Sequence, residues 1–257
     1  MIDFHSHILP YIDDGSKDFD MSVDMVKIAF QEESKFICAT PHFITGEFEV
    51  SRKTYNDKIE GLIDLVKQKD IDINILPGLE IYIHPDLPKL YKEKKIWGLN
   101  DTNYLLIEFP MEQLPNYTKN VFYELRLQGA IPIIAHPERN LKFMKNIDLL
   151  LALMNQGALC QLNAGSLRGM YGKEVKAFAE ILVKRNMIHI IGSDAHNNRG
   201  RSPLVMNEIA IIKAMNEELY NWIMDFSRKL IDGKEMDVLP IKDKINNRKS
   251  FFSFFHK

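Results

Sequence analysis

The sequence predicts an α/β protein in which parallel strands and helical crossovers build a barrel. Two observations carry that prediction. Short, continuous apolar runs alternate with segments of helical period along most of the chain, and the residues able to do chemistry collect where those runs end. Continuous apolar runs suit parallel strands buried on both faces. In a βα barrel the loops that follow the strands build the site.

Strands are expected at 2–6 (IDFHS), 36–40 (FICAT), 73–82 (INILPGLEIY), 104–108 (YLLIE), 131–135 (IPIIA), 159–163 (LCQLN) and 187–191 (MIHII). Between the first two, Met21, Met25, Val26, Ala29 and Phe30 recur at helical intervals, with Ser16 as the expected N-cap. Tyr55, Ile59, Leu62, Ile63 and Val66 form a second helical stripe. Val121, Leu125 and Leu127 lie in a third, which Gly129 stops as a C-terminal glycine does. Helices are also expected at 141–156 and 173–185. Seven strands with helical crossovers favour a barrel over an open sheet. No internal repeat or linker divides the chain, so residues 1–240 are expected to form one domain. Residues 241–257 differ: Lys242, Lys244, Arg248, Lys249 and Lys257 interleave with Phe251, Phe252, Phe254 and Phe255 in a basic tail. Its ordinary reading is a loose terminus; the alternative is peripheral contact with an anionic membrane surface or a partner kinase.

At 257 residues the chain is long for one domain and ordinary for a barrel. The apolar share of 46% allows a full core. A net charge of −2 argues against a general grip on nucleic acid. No signal pattern opens the sequence, and no apolar run reaches the roughly 18–20 residues that span a bilayer. Cys38 and Cys160 are too few for a disulfide framework and read as buried free thiols. The expected compartment is the cytoplasm.

The polar residues are less ordinary. His5, His7 and Asp14 follow the first strand, beside Asp13, and His42 follows the second in ATPHF. Glu80 lies in PGLEIY and Glu108 ends YLLIE. AHPER supplies His136 and Arg139, and GSDAH supplies Asp194 and His196. A lone histidine beside an apolar strand is ordinarily a hydrogen-bonded core residue. Carboxylates set among LEIY and LLIEFP are harder to place, because burying them without a partner is costly. A cation answers that cost for the whole set, so nine imidazole and carboxylate groups predict a multinuclear metal site. The donors are nitrogen and oxygen with no thiolate, which suits manganese, iron or zinc in a water-bearing site. Glu80 is the natural bridging carboxylate by position.

HSH, PHF, GLEIY, AHPER and SDAH, in this order over residues 1 to about 201, resemble the polymerase and histidinol phosphatase (PHP) family. More closely, they resemble its bacterial capsule-associated branch of metal-dependent protein-tyrosine phosphatases, the CpsB and YwqE type. That resemblance implies a distorted seven-stranded (β/α)7 barrel holding three divalent metal ions, with manganese first among them. It implies that His5, His7, Glu80 and Asp194 bind the first ion. Glu80, Glu108 and His136 would hold the second, and Asp14, His42 and His196 the third. All nine positions carry residues able to serve.

The implied reaction is attack on phosphorus by a metal-activated hydroxide. Arg139 and Arg201 are the expected phosphate clamp, since guanidinium matches phosphate with paired donors, and Arg199 is the rival of Arg201. Asp14 or His42 is the candidate acid for the leaving group. Cysteine-dependent chemistry is unsupported: six residues after Cys38 and Cys160 stand Ile44 and Ser166, not arginine. The segment 43–56 is expected to overhang the site or to be a plain long loop. The resemblance further implies a tyrosine-phosphorylated protein as substrate, namely a bacterial tyrosine kinase controlling capsule or exopolysaccharide synthesis. The membrane reading of the basic tail would put a cytoplasmic protein at the inner face of the membrane. Alternatives are a small-molecule phosphatase, such as one for histidinol phosphate, and a non-catalytic metal-binding regulator.

Overall fold

The computed structural model describes residues 1–234 and 236–242. In chain order these form β1 (Ile2–Ser6), α1 (Phe19–Gln31), β2 (Phe36–Ala39), β3 (His42–Phe43), α2 (Arg52–Gln68), β4 (Asn74–Pro77), β5 (Glu80–Tyr82), α3 (Leu87–Lys92) and β6 (Tyr104–Glu108). There follow α4 (Thr118–Leu127), β7 (Ile131–Ile134), α5 (Leu141–Lys145), α6 (Ile147–Met154), β8 (Leu159–Asn163), α7 (Ala164–Arg168), α8 (Lys173–Lys184), β9 (Ile190–Gly192), α9 (Met206–Met215) and α10 (Glu217–Ile231). The basic tail lies outside the described residues from 243 onward.

Among the described residues the strands named above all pair in parallel. One sheet runs β1-β2-β4 and the other β3-β5-β6-β7-β8-β9. The sheet curls back on itself. Beyond β9, Ala195 bridges in parallel to Ser6, the His7 amide donates to the Ala195 carbonyl (2.8 Å), and the Asp194 amide donates to the His5 carbonyl (2.8 Å). Phe4, Cys38, Leu106, Ile133, Leu159 and Ile190 gather in one core cluster, joined by Phe226 and Leu230 of α10. A larger cluster lies between the sheet and its helices. Among the described residues no helix is long and apolar enough to cross a membrane.

Three expectations are corrected in detail. The run 73–82 is two strands, because Pro77 has no amide to continue the ladder and the Gly78 amide donates instead to the Tyr55 hydroxyl (2.9 Å). A Cβ at Gly78 would stand 3.0 Å from side-chain methyls of both Leu99 and Thr40, so any larger residue would require those side chains to give way. The N-cap of α1 is Asp18, not Ser16. The Asp18 carboxylate accepts from the Met21 amide (2.7 Å), where negative charge also complements the helix dipole, while the Ser16 hydroxyl donates to the Asp18 carbonyl (2.9 Å). The run 141–156 is two helices, with extended Asn146 between them capping α6 at the Asp148 amide.

His189 is the isolated core histidine of the fold. It is buried, its ring meets Trp222 at 78°, and its Nδ1 accepts from the Cys160 amide (3.0 Å). That bond fixes the neutral tautomer with the proton on Nε2. Burial lowers its pKa from 6.5 to about 3. Because the unfolded chain binds this proton first, the stability from neutral His189 is present above pH 6.5 and is lost as pH falls towards 3. Denaturant unfolding across that window should show His189→Asn with a pH slope shallower by up to about 1.4 kcal/mol per pH unit than the parent. Equal slopes would contradict the assignment.

Candidate metal centre

The strands deliver their polar residues to one end of the curled sheet. Parallel register sets His42 beside Glu80 and Tyr82 beside Glu108. On β5 the side chain of Ile81 enters the outer core, and strand alternation turns Glu80 to the opposite face. Two site residues have left-handed backbones, His136 (φ 31°) after β7 and Asp194 (φ 55°) after β9. Neither is glycine, and both sit where a sharp turn aims a side chain inward.

Three groups of donors result. His5 Nε2 and His7 Nε2 are 3.2 Å apart, and each lies 3.1–3.2 Å from Glu80 Oε2. Asp194 Oδ1 completes this group at 3.7 and 3.6 Å. His136 Nε2 contacts Glu80 Oε1 at 2.9 Å and Glu108 Oε1 at 3.6 Å. Asp14 Oδ1 lies 3.4 Å from His196 Nε2 and 3.7 Å from His42 Nε2. His42 also turns Nδ1 to Glu80 (3.1 Å) and Glu108 (3.6 Å), so it stands between the last two groups.

Outer partners fix which nitrogens face inward. His5 Nδ1 is 3.0 Å from Gln161 Oε1, and His7 Nδ1 is 2.7 Å from Asp13 Oδ2. His196 Nδ1 is 3.0 Å from the Asp194 carbonyl. Those oxygens only accept, so each Nδ1 donates, and in the neutral ring each Nε2 presents a lone pair to the cluster. Lone pairs of His5, His7 and Glu80 converging at about 3.2 Å repel unless a proton or a metal cation lies among them. Ligands about 2.1 Å from a divalent ion stand about 3.0–3.4 Å apart in octahedral or tetrahedral shells, so the spacing fits a metal. His42 Nδ1, buried and without a hydrogen-bond partner, is a further orphaned donor atom.

The electrostatics agree. Burial and then the charges of Glu80 and Asp194 push Glu108 up to about 9. Burial works against ionising Glu80, yet His5 and His42 hold it well below the usual carboxylate range. Burial also works against charging His5, but Glu80 and Asp194 raise it. The His196 imidazole beside it draws Asp14 down to about 2. Carboxylates this close share protons with their neighbouring imidazoles, and a bound divalent ion would take over that charge and release protons.

All nine expected ligand residues meet here. Arg139 Nη1 reaches Asp194 Oδ2 at 2.8 Å and Arg201 Nη2 reaches Asp194 Oδ1 at 2.9 Å. Both arginines line a cavity of about 190 Å³ with Asp14, His42, Glu80, Glu108, Met111, His136, Asp194 and His196. Arg199 is exposed and does not line it. The 43–56 segment approaches through Phe48, whose ring centroid is 6.4 Å from that of His42.

Several supporting residues escaped the sequence reading. Asp13 holds both His7 and the His42 amide (2.8 Å). Gln161 Oε1 serves His5 and the His136 amide (3.2 Å). Asn163 donates to Asp194 (2.7 Å). The signal for the last two was polar residues at alternate positions of LCQLN, the same signal that marked Glu80.

Comparison with known proteins places this geometry. Residues 1–231 match the family model for capsular polysaccharide synthesis, CpsB/CapC. Tyrosine-protein phosphatase YwqE of Bacillus subtilis is 36% identical over 99% of this chain and 100% of its own length. A putative tyrosine-protein phosphatase CapC of Staphylococcus aureus is 36% identical over 95% and 96%. CpsB of Streptococcus pneumoniae, also a tyrosine-protein phosphatase, is 29% identical over 90% and 98%. A solved chain from the crystal structures of YwqE and CpsB, described as unique metal-dependent tyrosine phosphatases, superposes with a TM-score of 0.90 at 36% identity over 94% of this chain and 98% of that one.

Asp13 is an outer partner of two candidate ligands, so its loss should be felt at the metal. Calorimetric titration with manganese should show Asp13→Asn binding about 10–100-fold more weakly at one class of site. Unchanged affinity at every site would contradict its role.

Proposed function

The chain belongs to the capsular polysaccharide synthesis CpsB/CapC family, and on that footing we propose that it is a metal-dependent protein-tyrosine phosphatase. The observation that carries this reading is the meeting of a buried imidazole–carboxylate cluster with two guanidinium groups around one cavity. His5, His7, Glu80 and Asp194 would hold one divalent ion. Glu80, Glu108 and His136 would hold a second, and Asp14, His42 and His196 a third. Manganese is the first candidate, with iron or zinc as alternatives, because the donors are nitrogen and oxygen. When bound, such ions supply water activated near neutral pH and neutralise charge on phosphoryl oxygens.

The chain's own residues do the rest. Arg139 and Arg201, which engage the two oxygens of Asp194, offer their remaining N–H groups to phosphoryl oxygens at the cavity. Gln161, Asp13 and Asn163 hold the ligand side chains in place, as outer partners do. A phenolate, of pKa about 10, leaves with little protonation. Asp14, drawn down to about 2, suits a ligand role better than an acid role, and His42 beside it is the other candidate acid. Both thiols are buried, and burial pushes them up, which leaves them poor nucleophiles.

The family and the phosphatase relatives support a tyrosine-phosphorylated protein as substrate, specifically a bacterial tyrosine kinase that governs capsule or exopolysaccharide synthesis. We take the chain as cytoplasmic, with residues 1–240 as one unit; contact with the inner membrane face is the alternative that the basic tail leaves open. We also take the curled sheet as a distorted seven-stranded barrel, in which β2 with β3 and β4 with β5 are interrupted single strands. The Ser6–Ala195 bridge supports that closure.

The test is turnover of a phosphotyrosine peptide beside histidinol phosphate, using metal-stripped protein with manganese added back. The expected result is metal-restored hydrolysis of the peptide alone, with Arg139→Ala lowering kcat/KM by about 10²–10³. Preference for histidinol phosphate would replace the tyrosine reading with the small-molecule one. No turnover with metal bound would favour the non-catalytic regulator.

A further inference from the structure

Tyr171 lies in the turn between α7 and α8, flanked by Gly169 (φ 84°) and Gly172 (φ 102°), whose left-handed backbones double the chain back on itself. Its ring lies 4.3 Å from Arg139 Cζ, in cation–π contact. Its hydroxyl is buried and has no hydrogen-bond partner, and so is Nε of Arg201. The phenol and both guanidinium groups are within electrostatic reach of one another. Tyr171 does not line the cavity. It touches the cavity's lining through Arg139, and both arginines reach Asp194.

A buried, unpartnered hydroxyl is an uncommon cost. A tyrosine here gains nothing over phenylalanine in apolar packing. What its ring does supply is a flat, electron-rich face against one side of the Arg139 guanidinium. An arginine side chain otherwise holds considerable rotamer freedom, and a stacked one has less to lose when its N–H edge meets phosphate.

We propose that Tyr171 is a positioning residue of the phosphate clamp, its ring holding Arg139 edge-on to the cavity. The proposal rests on the phosphatase reading for its ligand class, a phosphoryl group, but not on which phosphate ester the protein cleaves. Tyr171 acts through Arg139 and touches no reacting atom. Its ring, rather than its hydroxyl, is the working part.

The experiment is calorimetric binding of inorganic phosphate to manganese-loaded protein, which needs no turnover. Tyr171→Leu should weaken phosphate binding about 3–30-fold, the range of a desolvated cation–π contact. Tyr171→Phe should restore it to within about twofold. In an Arg139→Ala background, Tyr171→Leu should add no further loss. Turnover of the phosphotyrosine peptide, measured alongside, should show Tyr171→Leu raising KM more than it lowers kcat. Should the leucine variant fail to fold, Tyr171→Met carries the same expectations.

Phosphate binding unchanged in Tyr171→Leu, an equal loss in Tyr171→Phe, or an equal loss without Arg139 would each overturn the proposal. So would a wild-type protein that binds no phosphate. Phosphate binding that follows these expectations in a protein that ignores phosphotyrosine would keep the clamp and remove the tyrosine reading.

Discussion

Glu80 opens β5, buried among histidines, and its two oxygens face nitrogens of His5, His7, His42 and His136. A carboxylate taken out of water at this depth is tolerable only when it is surrounded by positive charge or hydrogen-bond donors. That condition constrains the rest of the sheet. β1, β3 and the turn after β7 must each bring an imidazole to the same point, and they do so because parallel register aligns their ends. The outer residues then have fixed work: Asp13 and Gln161 hold the imidazole nitrogens that face away, and Asn163 holds Asp194. Left-handed backbone at His136 and Asp194 is the local cost of aiming both inward.

The same convergence explains how a phosphate would be held. Asp194 meets His5, His7 and Arg201 through Oδ1 and Arg139 through Oδ2. One carboxylate thereby links the candidate metal cluster to the candidate clamp. The arginines have donors to spare, since each guanidinium carries five N–H groups. A clamp built this way recognises the phosphoryl group and leaves the choice of ester to the rim, where Met111 and Phe48 are the apolar neighbours.

Much of this was legible in the sequence, for a physical reason. HSH, PHF, GLEIY, AHPER and SDAH break apolar strands with charge, and a chain rarely does that without a partner for the charge. All nine candidate ligands were therefore visible as anomalies, and the alternation of strands and helices ordered them. Asp13 was visible but unassigned, because the two neighbouring carboxylates of DD differ only in the direction the loop gives them. Gln161 and Asn163 are uncharged, so their burial raised less alarm. The split at Gly78 depends on Tyr55 reaching across from α2, a contact no local pattern records. Helices α9 and α10 went unremarked although Leu219, Ile223, Phe226 and Leu230 have helical spacing and are buried.

The proposal on which the rest depends is that the buried cluster would hold three divalent ions, with Glu80 a ligand to two of them. Anomalous diffraction at the manganese edge, from crystals of metal-loaded protein, tests it most directly. The account predicts three peaks, one within His5, His7, Glu80 and Asp194, one within Glu80, Glu108 and His136, and one within Asp14, His42 and His196. A single peak, or peaks that leave Glu80 touching no more than one ion, would contradict it.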